Sequence, residues 1–317
     1  MPAAPRDLPA WMLAAATLRA GRPAALLCVL RSEGSSPGRQ GFKMMVTAEA
    51  VAGSIGGGIM EHKWVELARE RLRASDLAPL RRPQIHRREA PANRSGMMCA
   101  GEQEVLLWPL QPSDLPVVAA IEAALQQLRG GAWEVSEAHG LRLVAEAPGD
   151  FYDYQPGPAW HYRERLGFRD QLIIVGGGHV SLALSQVASA LEFEITVLDD
   201  RADLPTLAAN HHAHHRQLVD YETLVVPPGP HRYVVVMTVG YRTDAVVLRR
   251  LLGHQYRYLG VLGSATKVAE LRRVLVAEGF DLSELRGPVG VPINSRLPEE
   301  IAVSVAAELI WVRNGVQ

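Results

Sequence analysis

The run Leu172 to Ser181, LIIVGGGHVS, passes from an apolar strand-like segment through three glycines into a helical pattern. Gly176 and Gly178 let the backbone reverse and approach a ligand. The helix that opens at His179 begins with N–H groups lacking an intrahelical acceptor, a common way of holding phosphate. His179 itself either touches such a phosphate, donates a proton or caps the helix. A second apolar run, EITVLD, ends at Asp199, about 20 residues on, the spacing at which a carboxylate meets a ribose diol. Asp200 and Arg201 follow, within reach of an adenosine moiety. Ser181 stands where a third glycine or alanine favours close helix packing, so the pattern reads G-x-G-x-x-S.

A second glycine-rich loop, GSIGGG, precedes the helical pattern MEHKWVELARERLRA. Gly56, Gly57 and Gly58 expose backbone N–H groups beside a helix N-terminus. That is either an oxyanion nest or a tight strand-to-helix connection. Ser35 and Ser36 in GSSPG add hydroxyl donors nearby, and Lys43 supplies a cation, a set suited to phosphate. In GSATK, Gly263, Ser264 and Lys267 end a strand and open a helix, offering a further anion contact with Ser264 and Thr266 as caps or donors. Asp244 opens another helix, where a carboxylate is favourable for capping alone.

Cys28, inside LLCVL, reads as a small core residue. Cys99 lies in the small-residue loop MMCAGE, where a thiolate is accessible to a soft metal or to sulfur exchange, or serves only structurally. The histidines of HHAHH, His211 to His215, lack a carboxylate or cysteine at ligand spacing, and adjacent side chains rarely converge on one centre. They read as a polar loop or strand entry, and no metal-ligating residue is assigned.

These groups need a scaffold, and the patterning supplies one. After Asp170 the chain alternates apolar strands (LIIV, EITVL, YVVVMT, YLGVLG) with helices running to Leu191, over Asp244–Leu252 and Lys267–Glu278, and from Pro298. Continuously apolar strands alternating with helices imply a parallel sheet covered on both faces, with the ligand beyond the carboxyl ends of its strands. The first part reads as strand AALLCVL, polar turn, strand FKMMVT, the glycine loop, a helix over Met60–Ala74 and a closing strand EVLLWPL. The expected division is an N-terminal α+β domain over 1–111, a connecting helix and linker over 112–169, and a C-terminal domain over 170–317.

Composition narrows the class. With 34 acidic against 33 basic residues in 317, there is no basic footprint for nucleic acid, and the patch RRPQIHRR reads as a short solvated loop. Two cysteines make no disulfide framework and favour a reducing compartment, so cytoplasm is expected. The apolar N-terminal stretch WMLAAATL, flanked by Pro9 and Gly21, reads as an amphipathic helix rather than a signal peptide. The late apolar segment Ile301 to Val312 is too short to span a bilayer, so no membrane association is expected.

The blocks GSSPGRQGFKMMV, GSIGGGIMEH, GMMCAGEQEV, LIIVGGGHVSLAL, VLDDR, VVVMT, LGVLGSATK and PVGVPINSRLPEEIAVSVAAELI, in this order, resemble the XdhC/CoxI family. These are accessory proteins of molybdenum hydroxylases such as xanthine dehydrogenase. The resemblance implies an N-terminal XdhC/CoxI-type α+β domain followed by a doubly wound Rossmann-like domain. It implies a chaperone without catalytic residues that binds molybdenum cofactor (molybdopterin or its dinucleotide form) and protects it during sulfuration. Delivery to an apo molybdenum hydroxylase follows, with a cysteine desulfurase as sulfur source and homodimerisation as further implications. Ser35, Ser36, Gly56 to Gly58 and Glu61 match the family's first motif blocks, and Cys99 matches the cysteine of its Cys-Gly-Gly block. Two positions depart: Ala100 replaces the first glycine after that cysteine, and Val239 follows Met-Thr where the family usually has histidine. The alternative reading is an NAD(P)-dependent oxidoreductase with Asp199 on the ribose diol, although no Tyr-x-x-x-Lys is evident. A scaffold without ligand leaves both glycine loops unexplained.

Overall fold

The computed structural model describes residues 2–85 and 101–315, which fall into two compact units, 4–167 and 168–315 together with the first residues of the chain. Cys99 lies outside the described residues.

The N-terminal unit begins with α1 (Leu8–Arg19), then β1 (Ala24–Gly34), β2 (Lys43–Val46), β3 (Val51–Gly53), α2 (Gly58–Arg73), β4 (Leu80–Ile85) and β5 (Gly101–Leu110). These strands form an antiparallel sheet in the order β3-β2-β1-β5-β4. Central β1 is apolar throughout its first half because both of its faces are covered. Ala24, Leu26, Cys28 and Leu30 enter one core with α1, while Ala25, Leu27 and Val29 enter another with Trp64, Val65 and Ala68 of α2. That alternation is the two-residue period of a strand applied to two buried faces. Cys28 is accordingly a core residue, and burial pushes its thiol pKa up.

The segment expected as connecting helix and linker is instead part of this unit. It contains α3 (Leu115–Gln126), β6 (Ala132–Ser136), β7 (Gly140–Val144), β8 (Tyr152–Gln155) and β9 (His161–Arg165), the strands forming a second antiparallel sheet in the order β7-β6-β9-β8. The helix is not an exposed connector: Val118, Ile121 and Leu125 pack with Trp11 and Leu18 of α1, and Trp11 meets Trp133 of β6 edge-on at 5.6 Å. Each such large apolar side chain contributes about 1.5–3 kcal/mol on burial. Sequence alone missed these strands because they are short and rich in Arg, Glu and Tyr. The expected solvated loop RRPQIHRR is corrected over its first five residues, 81–85, which belong to β4 paired with β5, while 86–88 lie outside the described residues.

One ionic knot ties the unit together. Lys43, fully buried, donates from Nζ to Asp7 Oδ2 (2.5 Å) ahead of α1, to Glu164 Oε1 (2.7 Å) on β9 and to the Gly41 carbonyl (2.8 Å). Tyr162 donates to the other oxygen of Glu164 at 2.8 Å. Burial alone would lower the Lys43 pKa, but the two carboxylates hold it above its ordinary range.

The C-terminal unit contains β10 (Asp170–Val175), α4 (His179–Ser189), β11 (Phe193–Asp199), α5 (Pro205–Ala208), β12 (His215–Leu218) and β13 (Gly229–Val236). It continues through α6 (Tyr241–Leu251), β14 (Tyr256–Val261), α7 (Ala265–Ala277), β15 (Leu285–Arg286) and α8 (Pro298–Arg313). The sheet is wholly parallel in the order β12-β11-β10-β13-β14-β15. Numbered from β10, that is 3-2-1-4-5-6, the doubly wound Rossmann order. Leu172 and Ile174 face α4 and α8, whereas Ile173 and Val175 face α6 and α7, which explains why each strand is apolar at consecutive positions. Arg313 anchors the end of α8, with Nε 2.8 Å from Asp170 Oδ2 and its guanidinium 3.9 Å from the Phe193 ring centre. Among the described residues no helix is long and apolar enough to cross a membrane.

Candidate functional site

The strand order reverses between β10 and β13, and the crevice beyond their carboxyl ends is where such sheets take ligands. Gly176 leaves β10 at φ +114°, and a Cβ there would lie 2.3 Å from the Met237 carbonyl oxygen. Only glycine allows the two loops to approach this closely. The two peptides that meet at the Gly177 Cα are each held by one hydrogen bond. The Gly177 N–H donates to Asp199 Oδ2 at 2.6 Å, and the Gly177 carbonyl accepts from Thr206 Oγ1 at 2.5 Å. Gly178 then caps α4, and among the described residues the N–H groups of Gly178, His179 and Val180 have no hydrogen-bond partner. His179 is exposed at the first helical position. Ser181, only 1% exposed, has an Oγ without a partner among the described residues.

Asp199 is not the open ribose ligand expected of it. Its side chain is fully buried. Oδ1 accepts from the Arg201 N–H (2.9 Å) and Nε (2.8 Å), while Oδ2 accepts from Arg201 Nη2 (2.7 Å) besides Gly177. Burial alone would raise its pKa, but the hydrogen bonds from Arg201 and Gly177 hold it below the usual aspartate range. Lys267, expected as an anion contact, is likewise committed. Its Nζ ion-pairs with Asp244 Oδ2 and donates to the Leu262 carbonyl at 3.0 Å. Asp244, fully buried, does more than cap a helix: its Oδ1 accepts from Thr238 N (3.0 Å) and Thr238 Oγ1 (2.6 Å), so it joins the loops after β13 and β14. Ser264 caps α7 by accepting from the Lys267 N–H at 3.2 Å, and the space above Gly263 is filled by the Lys267 stem. What remains open on the crevice rim is the Gly178–Val180 backbone, His179, and the exposed side chains of Val239, Tyr241 and Arg242.

The N-terminal glycine loop is built differently. Gly56 and Gly57 have φ +123° and +74°, and a Cβ on Gly56 would lie 2.4 Å from Gly38 N. The expected nest forms, but the chain fills it. Glu61 Oε2 accepts from Ser54 Oγ (2.6 Å), Ile55 N (2.9 Å) and Gly57 N (3.0 Å). Gly58 begins α2, whose positive N-terminal end favours this carboxylate. Of the serines expected beside it, Ser35 is exposed, whereas Ser36 is buried and its hydroxyl meets Gln103 Oε1 (2.7 Å) and the Gly38 carbonyl (3.0 Å). Lys43 is locked in the ionic knot. Neither Ser36 nor Lys43 is available to a phosphate.

His214 Nδ1 accepts from the Ile195 N–H at 3.0 Å, and His215 Nε2 sits 3.0 Å from Glu194 Oε1 at the start of β12. Burial lowers the His214 pKa. Among the described residues no group of three metal-capable side chains converges. Sequence reading overlooked Thr206, which acts on a residue far away in the chain and carries no local signal. The pairing of Arg201 with Asp199 does carry one, their adjacency in VLDDR, although the sequence reading directed Arg201 to an adenosine moiety instead.

The comparisons with known proteins fit this geometry. A model of the XdhC Rossmann domain matches residues 172–309, and a model of the XdhC and CoxI family matches residues 17–81. An uncharacterised protein, YqeB of Escherichia coli K12, is 25% identical over 302 residues, 92% of this chain and 44% of that protein. A Bacillus subtilis 168 protein, named as a probable xanthine dehydrogenase subunit, is 29% identical over 160 residues, 48% of this chain and 46% of that one. The chain therefore matches less than half the length of either relative. A solved structure described as a xanthine dehydrogenase from Bacillus halodurans shares the fold, with a TM-score of 0.69 at 22% identity over 97% of both chains.

Proposed function

The chain belongs to the XdhC and CoxI family, and from that premise we propose that it is a maturation factor for a xanthine dehydrogenase-type molybdenum hydroxylase. In this reading it binds molybdenum cofactor in the C-terminal crevice by the phosphate or dinucleotide tail, shelters it during sulfuration and delivers it to the apo-hydroxylase in the cytoplasm. The observation that carries it is the turn Gly176–Ser181 at the switch point, with three unpartnered backbone N–H groups, among the described residues, at a helix N-terminus. Gly178, His179 and Val180 would hold the anion, and Tyr241 and Val239 offer an apolar rim to a flat heterocycle. The cofactor, when bound, supplies the molybdenum and its terminal sulfur; the chain supplies orientation and exclusion of water. A cysteine desulfurase as sulfur donor, a second copy of the chain, and a thiolate role for Cys99 belong to the same proposal.

The experiment is calorimetric titration with molybdenum cofactor, its dinucleotide form, NAD(H) and NADP(H), paired with activation of an apo-hydroxylase. Cofactor binding accompanied by activation is expected. Tight NAD(P)H binding with hydride turnover and no cofactor binding would overturn the proposal in favour of an oxidoreductase.

A further inference from the structure

Asp199 occupies the place of a ribose-binding carboxylate, yet its two oxygens already accept four hydrogen bonds, from Gly177 N and from Arg201 N, Nε and Nη2. A carboxylate has about four lone-pair sites, so none remains for a diol. The donors are also hard to displace. The guanidinium fork matches a carboxylate in geometry, and Gly177 belongs to the turn that makes the nest.

We infer that Arg201 is a specificity determinant of this crevice: by saturating Asp199 it makes ligand binding indifferent to ribose hydroxyls and leaves recognition to the phosphate. This rests on the crevice being the phosphate site proposed above. Asp199 thereby becomes a positioning residue. It holds the Gly177 N–H, in the peptide joining Gly176 to Gly177, while Thr206 holds the Gly177 carbonyl, in the peptide joining Gly177 to Gly178, so both planes of the turn are fixed, including the one that carries the Gly178 N–H. A ligand with either a ribose diol or a differently substituted pterin beside its phosphate is then accepted equally. Arg201 is itself partly exposed, 41% at the side chain, so removing it opens the carboxylate to solvent and to a diol.

The test titrates the parent chain and Arg201→Ala with pyrophosphate, ADP and 2′,3′-dideoxy-ADP by calorimetry, with circular dichroism to verify folding. The parent should bind ADP and its dideoxy analogue within roughly twofold of each other. Arg201→Ala should prefer ADP by roughly tenfold, because hydrogen bonds to a freed charge then discriminate the diol. Arg201→Gln, which keeps the bulk and one donor, replaces Arg201→Ala if the latter does not fold. A parent that already prefers ADP tenfold, or a folded variant no more selective than the parent, overturns the inference while leaving the phosphate site standing. Failure of all three ligands to bind either protein overturns the phosphate site, and the inference with it.

Discussion

Two glycine turns, each leading a strand or loop into a helix, look alike as strings of letters and differ in what fills them. In the N-terminal unit, Glu61 lies within the first turn of α2 and returns to accept from Ser54, Ile55 and Gly57. In the C-terminal unit, the first turn of α4 carries no acidic residue, and the N–H groups after Gly177 stay without a partner among the described residues. The difference teaches that a glycine-rich helix entry is an anion nest in both cases, but an internal carboxylate decides whether it serves the fold or a ligand.

The largest expected effect tests the cation assigned by sequence to the N-terminal nest. Lys43→Met removes the counter-charge shared by Asp7 and Glu164, leaving buried Glu164 with the Tyr162 hydroxyl but without that cation, and should cost about 3–5 kcal/mol in urea unfolding while leaving phosphate-ligand affinity unchanged. A fully stable variant with lost affinity would restore Lys43 as a ligand contact and break the comparison.

Next in size are the glycines themselves. Gly176→Ala should destabilise the C-terminal unit by about 2–4 kcal/mol, since the new methyl meets the Met237 carbonyl at a positive φ. Gly57→Ala, at φ +74° and ψ −171° with nothing within 4 Å, should cost about 1–3 kcal/mol from backbone strain alone. Thermal unfolding of both, with pyrophosphate titration of each, separates close approach from backbone strain. Binding should be lost only in Gly176→Ala, and loss in Gly57→Ala instead would reverse the roles of the two turns.

A smaller effect sharpens the contrast from the other side. Glu61→Ala empties the N-terminal nest and should cost about 1–3 kcal/mol through the donors it leaves unpaired. Added formate should recover part of that loss in Glu61→Ala and none in the parent. No recovery at high formate would mean that the loop collapses without its carboxylate and is no nest at all.

Much of the crevice was legible in the sequence because it is local. The β10 run LIIV, Gly176 and Gly178, the entry of α4 and the end of β11 at Asp199 lie close along the chain, and period and glycine placement report them directly. The second sheet of the N-terminal unit was not legible. Its strands β6 to β9 are short, and Tyr152, Tyr154, Arg163 and Glu164 mask the alternation that Trp133 and Tyr162 obey.

By itself, then, the sequence determined the alternating architecture of the C-terminal unit, the two-faced burial of β1 and the positions of both glycine turns, since each follows from backbone sterics and hydrophobic period within a few residues. The tertiary structure alone decided which polar groups are spent. Lys43 meets Glu164 across 121 positions, Thr206 reaches back 29 positions to Gly177, and Asp244 in the first turn of α6 meets Lys267 in the first turn of α7. The pairing of a buried charge depends on which partner the folded chain brings within about 3 Å, and residue type and local spacing carry no record of that distance.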